Sequence, residues 1–311
     1  MKAVILTDFG PAENLQLKEV PDPEINEGEV LIRVKAISIN PVDAKTRIGR
    51  GQAPNIKAFS PMILGWDVSG IVTATKSDLF KIGDEVFGMI NFPGHGKAYA
   101  EYVAAPVGQL ALKPANVSHE EAAAATLAAL TAWQGLTHHG DLKKGQRVLV
   151  HAAAGGVGHY AVQMAKHIGA YVIGTASADN KDFVLSLGAD EYFDYHSGPF
   201  EDALSNIDFV WDPIGNDNID RSLKVMKKGA TIICLPFGAN DLVAEKAAAI
   251  GAKGLRFHVT SNGDDMKKIA ALMEQGDVIS FVSRTFALDD MAAAHLAIES
   301  GKTKGKIIVN I

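Results

Sequence analysis

A glycine-rich turn stands in the middle of the chain, where residues 148–158 read VLVHAAAGGVG. Its first three residues predict a buried strand, and apolar residues every three or four positions from Val157 to Ile168 predict a helix after the turn. Glycines let a pyrophosphate approach the backbone, and N–H groups at a helix start attract anions. The segment therefore predicts a dinucleotide site formed by the turn residues Ala154, Gly155, Gly156, Val157 and Gly158.

Two glycines of this turn have separate roles in the pattern G-x-G-x-x-G. Gly155 takes the position that faces the pyrophosphate, and Gly158 allows the helix to pack closely on the strand. Ala153 stands at the first position of the pattern. A glycine turn alone is a weak signal, because many α/β proteins have one. Its place between a strand and a helix, within an alternating array, is typical of dinucleotide-binding domains.

The next strand predicts which dinucleotide is bound. It ends at residues 173–177, IGTAS, where NAD-binding domains usually have an acidic residue for the ribose hydroxyls. Ser177 and Lys181 instead favour a 2′-phosphate, which predicts NADPH as the cofactor. Asp179 lies close by and would repel that phosphate, so NADH is the alternative.

Composition limits the class of protein and its partners. The 311 residues suit two domains, and nearly half are hydrophobic (47%), enough for a substantial core. The net charge of -6, without a basic block, argues against a nucleic-acid partner. We expect no membrane partner, because no apolar run is long enough to span a bilayer. Cys234 is the one cysteine, so no internal disulfide forms and we expect a cytoplasmic protein.

The pattern of strands and helices changes along the chain. The first third reads as short strands separated by Pro and Gly, which predicts an antiparallel, barrel-like domain. A capping box at Ser118 begins an alanine-rich helix that is predicted to continue to about His139. From Arg147 onward strands alternate with helices, which predicts a doubly wound parallel sheet.

Several short motifs, spread over essentially the whole chain, together point to a family. They are residues 40–43 (NPVD), 63–70 (ILGWDVSG), 83–88 (GDEVFG), 99–102 (YAEY), 131–133 (TAW), 187–190 (LGAD) and 305–308 (GKII), with the glycine turn itself. With them the chain resembles the zinc-independent medium-chain dehydrogenases/reductases of the quinone oxidoreductase type.

The resemblance implies an α/β fold with two domains. A Rossmann doubly wound parallel sheet, residues 119–255, would be inserted in a mostly β, barrel-like (GroES-like) catalytic domain of residues 1–118 and 256–311. It further implies an active site in the cleft between the domains, a small-molecule substrate such as a quinone or enone, and a homodimer.

A metal site is not expected. Zinc-dependent relatives carry a Gly-His-Glu segment, where this chain has Gly65, Trp66 and Asp67. Zinc prefers thiolate and imidazole ligands at such sites, and Cys234 alone does not supply them. Quinones and enones are already electrophilic, so a hydride from the nicotinamide reaches them without a Lewis acid. The resulting prediction is metal-free hydride transfer to an activated acceptor.

Four residues are candidate catalytic residues. Asn40 follows a strand end, and we expect it either to hydrogen-bond the substrate oxygen or the nicotinamide ribose, or to be a turn residue before Pro41. Asp43 and Arg47 either face the cleft or pair with each other one helical turn apart. Trp66 either forms a wall of the pocket or lies in the core.

Four further residues are cofactor neighbours by resemblance alone. Thr131 belongs to this set, Tyr195 would lie near the adenosine end, and Phe237 and Gly238 near the nicotinamide end. One departure concerns the proton donor, because some relatives have a tyrosine where residues 47–54 here have none. Two other functions therefore stay open: a metal-free alcohol dehydrogenase-like enzyme, and a cofactor-binding protein without turnover.

Overall fold

The structure is a computed structural model that describes residues 1–236 and 238–311. Its strands are β1 Lys2–Leu6, β2 Leu15–Glu19, β3 Glu29–Ile39, β4 Asp67–Thr75, β5 Glu85–Met89, β6 Tyr102–Pro106, β7 Ala111–Leu112, β8 Arg147–Val150, β9 Tyr171–Ala176, β10 Glu191–Asp194, β11 Ile207–Asp212, β12 Met226–Cys234, β13 Lys253–Leu255, β14 Val282–Ala287 and β15 Lys306–Asn310. Its α-helices are α1 Pro41–Arg47, α2 Ala53–Ile56, α3 His119–Ala124, α4 Leu127–Gln134, α5 Gly158–Ile168, α6 Lys181–Ser186, α7 Phe200–Ala203, α8 Asp217–Val225, α9 Val243–Ala249, α10 Gly263–Gln275 and α11 Met291–Glu299.

The described chain forms two compact units. Unit 1 comprises residues 1–130 and 259–311, and unit 2 comprises residues 131–258. Both boundaries lie later in the chain than the predicted ones after residues 118 and 255. The first differs because α3 packs on β3 and β4 of unit 1, and its three alanines are buried there.

Unit 1 is built on a seven-stranded sheet. The strand order is β14–β15–β3–β4–β5–β7, and β6 also pairs with β3. All pairs are antiparallel except β14 and β15, which run parallel. Along β3, Val30, Ile32 and Val34 alternate with less buried residues, so one face of this strand enters the hydrophobic core. The late strand β15 lies inside the sheet, between β14 and β3.

Unit 2 contains a six-stranded parallel sheet in the order β10–β9–β8–β11–β12–β13. Counted from β8 along the chain, this is the order 3-2-1-4-5-6 of a dinucleotide-binding doubly wound sheet. The direction of winding reverses between β8 and β11. Ligands of such sheets bind beyond the carboxyl ends of the strands at this reversal, and the glycine turn directly follows β8.

The alanine-rich helix predicted from residue 119 to 139 is wrong as a continuous element. It breaks after Ala124, because the N–H of Leu127 donates to the buried carboxylate of Asp67 at 3.0 Å, which starts a new helix there. After α4 the chain forms a wider turn of π type over Gly135–His139. A Cβ on Gly135 would lie 2.3 Å from the ring of Trp211, so this turn needs glycine to pack against that ring.

None of the helices in the two described segments, before and after residue 237, is long and apolar enough to cross a membrane.

Candidate functional site

The glycine turn of unit 2 is tightly closed on itself. Ala152 has a positive φ of 49°, and its carbonyl oxygen accepts the Gly155 N–H at 2.9 Å. A Cβ added to Gly158 would lie 2.1 Å from the Ala152 oxygen, whereas one added to Gly155 would lie 3.2 Å from it. Gly158 is therefore the position where α5 approaches the turn most closely.

The same turn presents unpaired backbone donors. The N–H groups of Gly156, Val157 and Gly158 donate to no acceptor within the part of the chain that the structure describes. Gly156 and Val157 are also partly exposed. These donors stand at the first turn of the eleven-residue helix α5, whose dipole adds positive potential there. Backbone N–H groups without a protein acceptor are what an anionic pyrophosphate requires.

The residues predicted to select the cofactor lie just after β9. The Ser177 hydroxyl accepts a hydrogen bond of 2.9 Å from the Asn180 side chain. Lys181 begins α6, is exposed, and forms no ion pair with any residue that the structure describes. Asp179 is likewise exposed. The ammonium of Lys181 and the carboxylate of Asp179 therefore both lie near the end of β9, and the lysine has no ion-pair partner among the described residues.

Three of the remaining predicted cofactor neighbours, Thr131, Tyr195 and Gly238, lie in unit 2. Thr131 is buried at the start of this unit, and Tyr195 is half exposed directly after β10, with its ring 4.3 Å from that of His196. Gly238 has a φ of +80° and open space where a Cβ would stand. Phe237 lies outside the described residues.

Asn40 is the centre of a buried polar group in unit 1. It caps α1, where its N–H donates to the Asp43 carboxylate at 2.7 Å. Its side-chain NH₂ donates to Asp67 at 2.7 Å, and its side-chain oxygen accepts from the ammonium of Lys306. Asn40 is 2% exposed, and both polar atoms of its amide have a protein partner. Its place favours the interpretation as a residue that holds the strand end in position.

Burial controls the charges of this group. Burial, together with the charge of the neighbouring Asp67, raises the pKa of Asp43 to about 7, although the hydrogen bond from the Asn40 N–H opposes the shift. Burial also raises the pKa of Asp67 and lowers that of Lys306, and the attraction between these two opposes both shifts. Two carboxylates thus lie in the field of one ammonium, and Asp43 carries a proton in part of the molecules at neutral pH.

The expected alternative that Asp43 pairs with Arg47 is wrong. The Arg47 guanidinium instead binds Glu299 of α11 at 2.5 Å, because the buried carboxylate of Asp43 turns back to the Asn40 N–H. Tyr99 lies beside Asp43, and its hydroxyl is joined to the ring of His295 by a hydrogen bond of 3.0 Å. Burial lowers the pKa of His295 to about 3, so this ring is neutral.

Trp66 lies in the interior of unit 1 and is 1% exposed. Its indole N–H donates to the carbonyl oxygen of Gly94 at 2.9 Å, and its ring meets that of Phe92 edge-on at 5.3 Å. Trp66 therefore lies in the core and supports the loop of residues 91–97 from behind.

Sequence reasoning missed the partners of Asn40, namely Asp67 and Lys306. Both stand next to apolar strand residues: Asp67 precedes Val68, and Lys306 precedes residues 307–309, IIV. A charged residue in such a position is seldom buried unless it is paired. That rule was a usable signal, but it does not reveal which residue is the partner.

Comparison with known proteins identifies the family. The alcohol dehydrogenase GroES-like domain matches residues 26–115, and the zinc-binding dehydrogenases match residues 187–309. A 2-methylene-furan-3-one reductase of Solanum lycopersicum is 36% identical over 322 residues, which cover 100% of this chain and 79% of the relative. The chloroplastic NADPH-dependent alkenal/one oxidoreductase of Arabidopsis thaliana is 36% identical and covers 99% and 79%.

A quinone oxidoreductase from Coxiella burnetii has the same fold, with a TM-score of 0.94 and 36% identity, over 100% of this chain and 99% of that one. This chain belongs to the quinone oxidoreductase type of the medium-chain dehydrogenases/reductases. The predicted family and fold class are thereby confirmed. For this medium-chain reductase, no cluster of three or more His, Cys, Asp or Glu residues suited to a metal ion occurs among the described residues.

Proposed function

We propose that this protein is an NADPH-dependent oxidoreductase that transfers a hydride to a quinone, an enone or a similarly activated carbonyl compound without a metal ion. The observation that carries the proposal is the set of unpaired N–H groups at Gly156, Val157 and Gly158, at the reversal point of the sheet. The names of relatives that reduce alkenals, furanones and quinones support the acceptor class.

The residues of unit 2 hold the dinucleotide in this proposal. Gly155 gives the pyrophosphate room, and the N–H groups after it neutralise part of its charge. Lys181 and Ser177 contact the 2′-phosphate of the adenosine ribose. Bound NADPH supplies the hydride. The chain itself binds, orients and excludes water, which suffices for an acceptor that is already electrophilic.

For unit 1 we propose that Asn40, Asp43 and Arg47 position the end of β3 and the start of α1. In this role the three side chains do not contact the substrate, whereas one of the sequence-based expectations was that they would face the cleft. Their side chains are buried, with protein partners on β4, β15 and α11. Trp66 supports the loop of residues 91–97 in the same way. In this proposal the proton that completes the reduction comes from solvent.

Turnover with a panel of acceptors tests this function. We expect the purified protein to oxidise NADPH steadily with small quinones and enones, and a chelator to leave the rate unchanged, because no metal takes part. Metal analysis should find zinc well below one ion per chain. Activity with simple alcohols or ketones alone would instead favour an alcohol dehydrogenase-like enzyme. NADPH binding without turnover of any compound would favour a binding protein, and chelator-sensitive activity would disprove the metal-free reaction.

Lys181 and Asp179 are expected to act in opposite directions on cofactor choice. Lys181→Ala should weaken NADPH binding roughly five- to tenfold, since an exposed lysine–phosphate contact supplies on the order of 1 kcal/mol. NADH affinity should stay the same, and Asp179→Ala should strengthen NADPH binding. Dissociation constants of both cofactors, measured for the three proteins, check this. A wild type that prefers NADH, with the preference reversed in Asp179→Ala, would make Asp179 the residue that reads the ribose.

We also propose that the protein is cytoplasmic and forms a homodimer. Sedimentation of the purified protein tests the dimer.

A further inference from the structure

His159 is a buried histidine of unit 2 that has no part in the hydride transfer proposed above. It is the second residue of α5, and it is completely buried. Its ring atom Nδ1 lies 2.9 Å from the carbonyl oxygen of Gly155. A carbonyl oxygen only accepts hydrogen bonds, so Nδ1 carries a proton and donates it. The side chain is therefore fixed to the peptide group that joins Gly155 to Gly156.

The carbonyl oxygen of Gly155 accepts a second hydrogen bond. The backbone N–H of His159 donates to it at 3.1 Å, as in an α-helix. A trans peptide group is planar, so its C=O and its N–H point in opposite directions. Both donors to the oxygen come from α5, and the N–H of the same peptide belongs to Gly156. This N–H, one of the three without an acceptor among the described residues, is therefore directed away from the helix.

The link between Gly155 and Gly156 needs such a restraint. Glycine has more backbone freedom than any other residue, and here two glycines follow one another. The residues before them are held by the backbone: the Ala153 N–H donates to the Thr175 oxygen at 2.9 Å, and the Gly155 N–H donates to the Ala152 oxygen at 2.9 Å. The ring of His159 extends this support to the next peptide.

The ring of His159 is itself held in place. It packs against the ring of Tyr160 with the centroids 3.9 Å apart, and Tyr160 is also completely buried. A fixed donor orients the peptide before a ligand arrives, and a preorganised site loses less entropy when it binds. Hydrogen bonds to the oxygen also polarise the peptide group, which makes its N–H a stronger donor. Both effects favour an anion at the Gly156 N–H.

We propose that His159 is a positioning residue for the cofactor, because its ring holds the Gly155–Gly156 peptide with the Gly156 N–H towards the pyrophosphate. This role rests on the proposed function, since it adds a residue that acts at the proposed cofactor site, and it concerns unit 2 alone. NADPH and NADH share the pyrophosphate. His159 should therefore strengthen the binding of both equally, whereas Lys181 should act on NADPH.

The variants His159→Leu and His159→Asn test this role. The two new side chains have the same number and branching of heavy atoms, but only asparagine carries an N–H near the position of Nδ1. We expect His159→Leu to raise the dissociation constants of NADPH and NADH about fivefold each, the usual effect of one lost hydrogen bond. His159→Asn should stay within about twofold of the wild type. In turnover by His159→Leu, the KM for NADPH should rise and kcat should stay the same.

Gln163 provides a matched control one turn further along α5. Its side-chain NH₂ donates at 3.0 Å to the carbonyl oxygen of His159, which is again four residues earlier, and its side chain is also buried. The peptide that it binds lies inside the helix, away from the turn. Gln163→Leu therefore removes an equivalent hydrogen bond, and it should change the affinity for NADPH less than about twofold.

Adenosine 2′-monophosphate is the control ligand, because it lacks the pyrophosphate. Its dissociation constant should be the same in the wild type and in all variants. If it rises as much as that of NADPH in His159→Leu, the substitution disturbs unit 2 as a whole and His159 is not a positioning residue. His159→Gln, whose amide reaches the place of Nε2 instead of Nδ1, takes the place of the leucine variant if that protein does not fold.

Two further results would overturn the role of His159. One is that His159→Leu binds NADPH and NADH as tightly as Gln163→Leu does. The other is that His159→Asn loses as much affinity as His159→Leu, because the donor at Nδ1 would then not matter. A wild type that binds NADPH but reduces no acceptor would disprove the proposed function, and the affinities of the variants would still decide the role of His159.

Discussion

Replacing Gly158 with alanine should lower the free energy of unfolding by about 3 kcal/mol or more, the upper range for forcing atoms into a packed interior. The added Cβ would lie 2.1 Å from the Ala152 oxygen and 2.9 Å from the Ala153 Cα. These are backbone atoms of a closed turn, so no side chain is able to rotate away. Urea unfolding followed by circular dichroism measures the effect.

Gly108→Ala is the control for this substitution. The space around a Cβ there is open and the φ of Gly108 is ordinary, so the change should stay within about 0.5 kcal/mol. A Gly158→Ala protein as stable as the wild type would show that α5 is able to shift away from the turn.

Gly155→Val should change the affinity for NADPH, whereas Gly158→Ala should change the stability of the fold. A Cβ at this position meets only the Ala152 oxygen, at 3.2 Å, so we expect the chain to fold. The branched side chain would occupy the space of the pyrophosphate and lower NADPH affinity at least about tenfold, which corresponds to the loss of roughly one charged hydrogen bond. Titration with NADPH measures this. Unchanged affinity would remove the glycine turn from the proposed cofactor site.

Asp43→Asn is expected to stabilise the protein increasingly as pH rises. The folded-state pKa of Asp43 is about 7, above its ordinary value of 3.8, so the folded chain binds this proton more tightly than the unfolded chain. The wild type therefore loses stability between about pH 4 and pH 7, and the loss is constant above that. Asparagine carries no charge, and its side-chain oxygen still accepts the Asn40 N–H.

The measurable quantity is the difference in unfolding free energy between variant and wild type. It should grow by about 3 kcal/mol from pH 5 to pH 9, because each pH unit below the folded pKa contributes about 1.4 kcal/mol. Titrating groups remote from Asp43 are common to both proteins and cancel, whereas Asp67 and Lys306 interact with Asp43 and contribute to the difference. Asp289→Asn, an exposed residue of the same unit, should show no such trend. A difference that stays constant with pH would show that Asp43 is ionised throughout.

The elements of unit 2 were predictable because their signals are local. Residues 148–150 and 157–168 were expected as strand and helix, and the structure has β8 at Arg147–Val150 and α5 at Gly158–Ile168. A buried strand, a glycine turn and an amphipathic helix each depend on residues a few positions apart. The break after Ala124 was not predictable in this way, because it depends on Asp67, far away in the sequence.

The buried polar group around Asn40 in unit 1 also depends on contacts between residues that are far apart in the sequence, which local patterns do not predict. Asn40 and Lys306 each belong to a recognisable motif, yet they are 266 positions apart, and neither motif names the other. Arg47 had a carboxylate one helical turn away at Asp43, but it pairs with Glu299, 252 positions away. Local spacing predicts which charged side chains are close enough to pair. The fold determines which of these ion pairs form, because it determines which charges are buried.

The place of β15 inside the sheet has a consequence for synthesis on the ribosome. All residues of unit 2 leave the ribosome before residues 259–311, so this unit is able to fold first. The stretch of β3 from Ala36 to Ile39 must wait for β15, which at usual translation rates takes roughly 3–10 seconds more. During that interval a bare strand edge is exposed, and Asp67 lacks the ammonium of Lys306. The nascent chain is then most open to wrong pairing and to binding by chaperones.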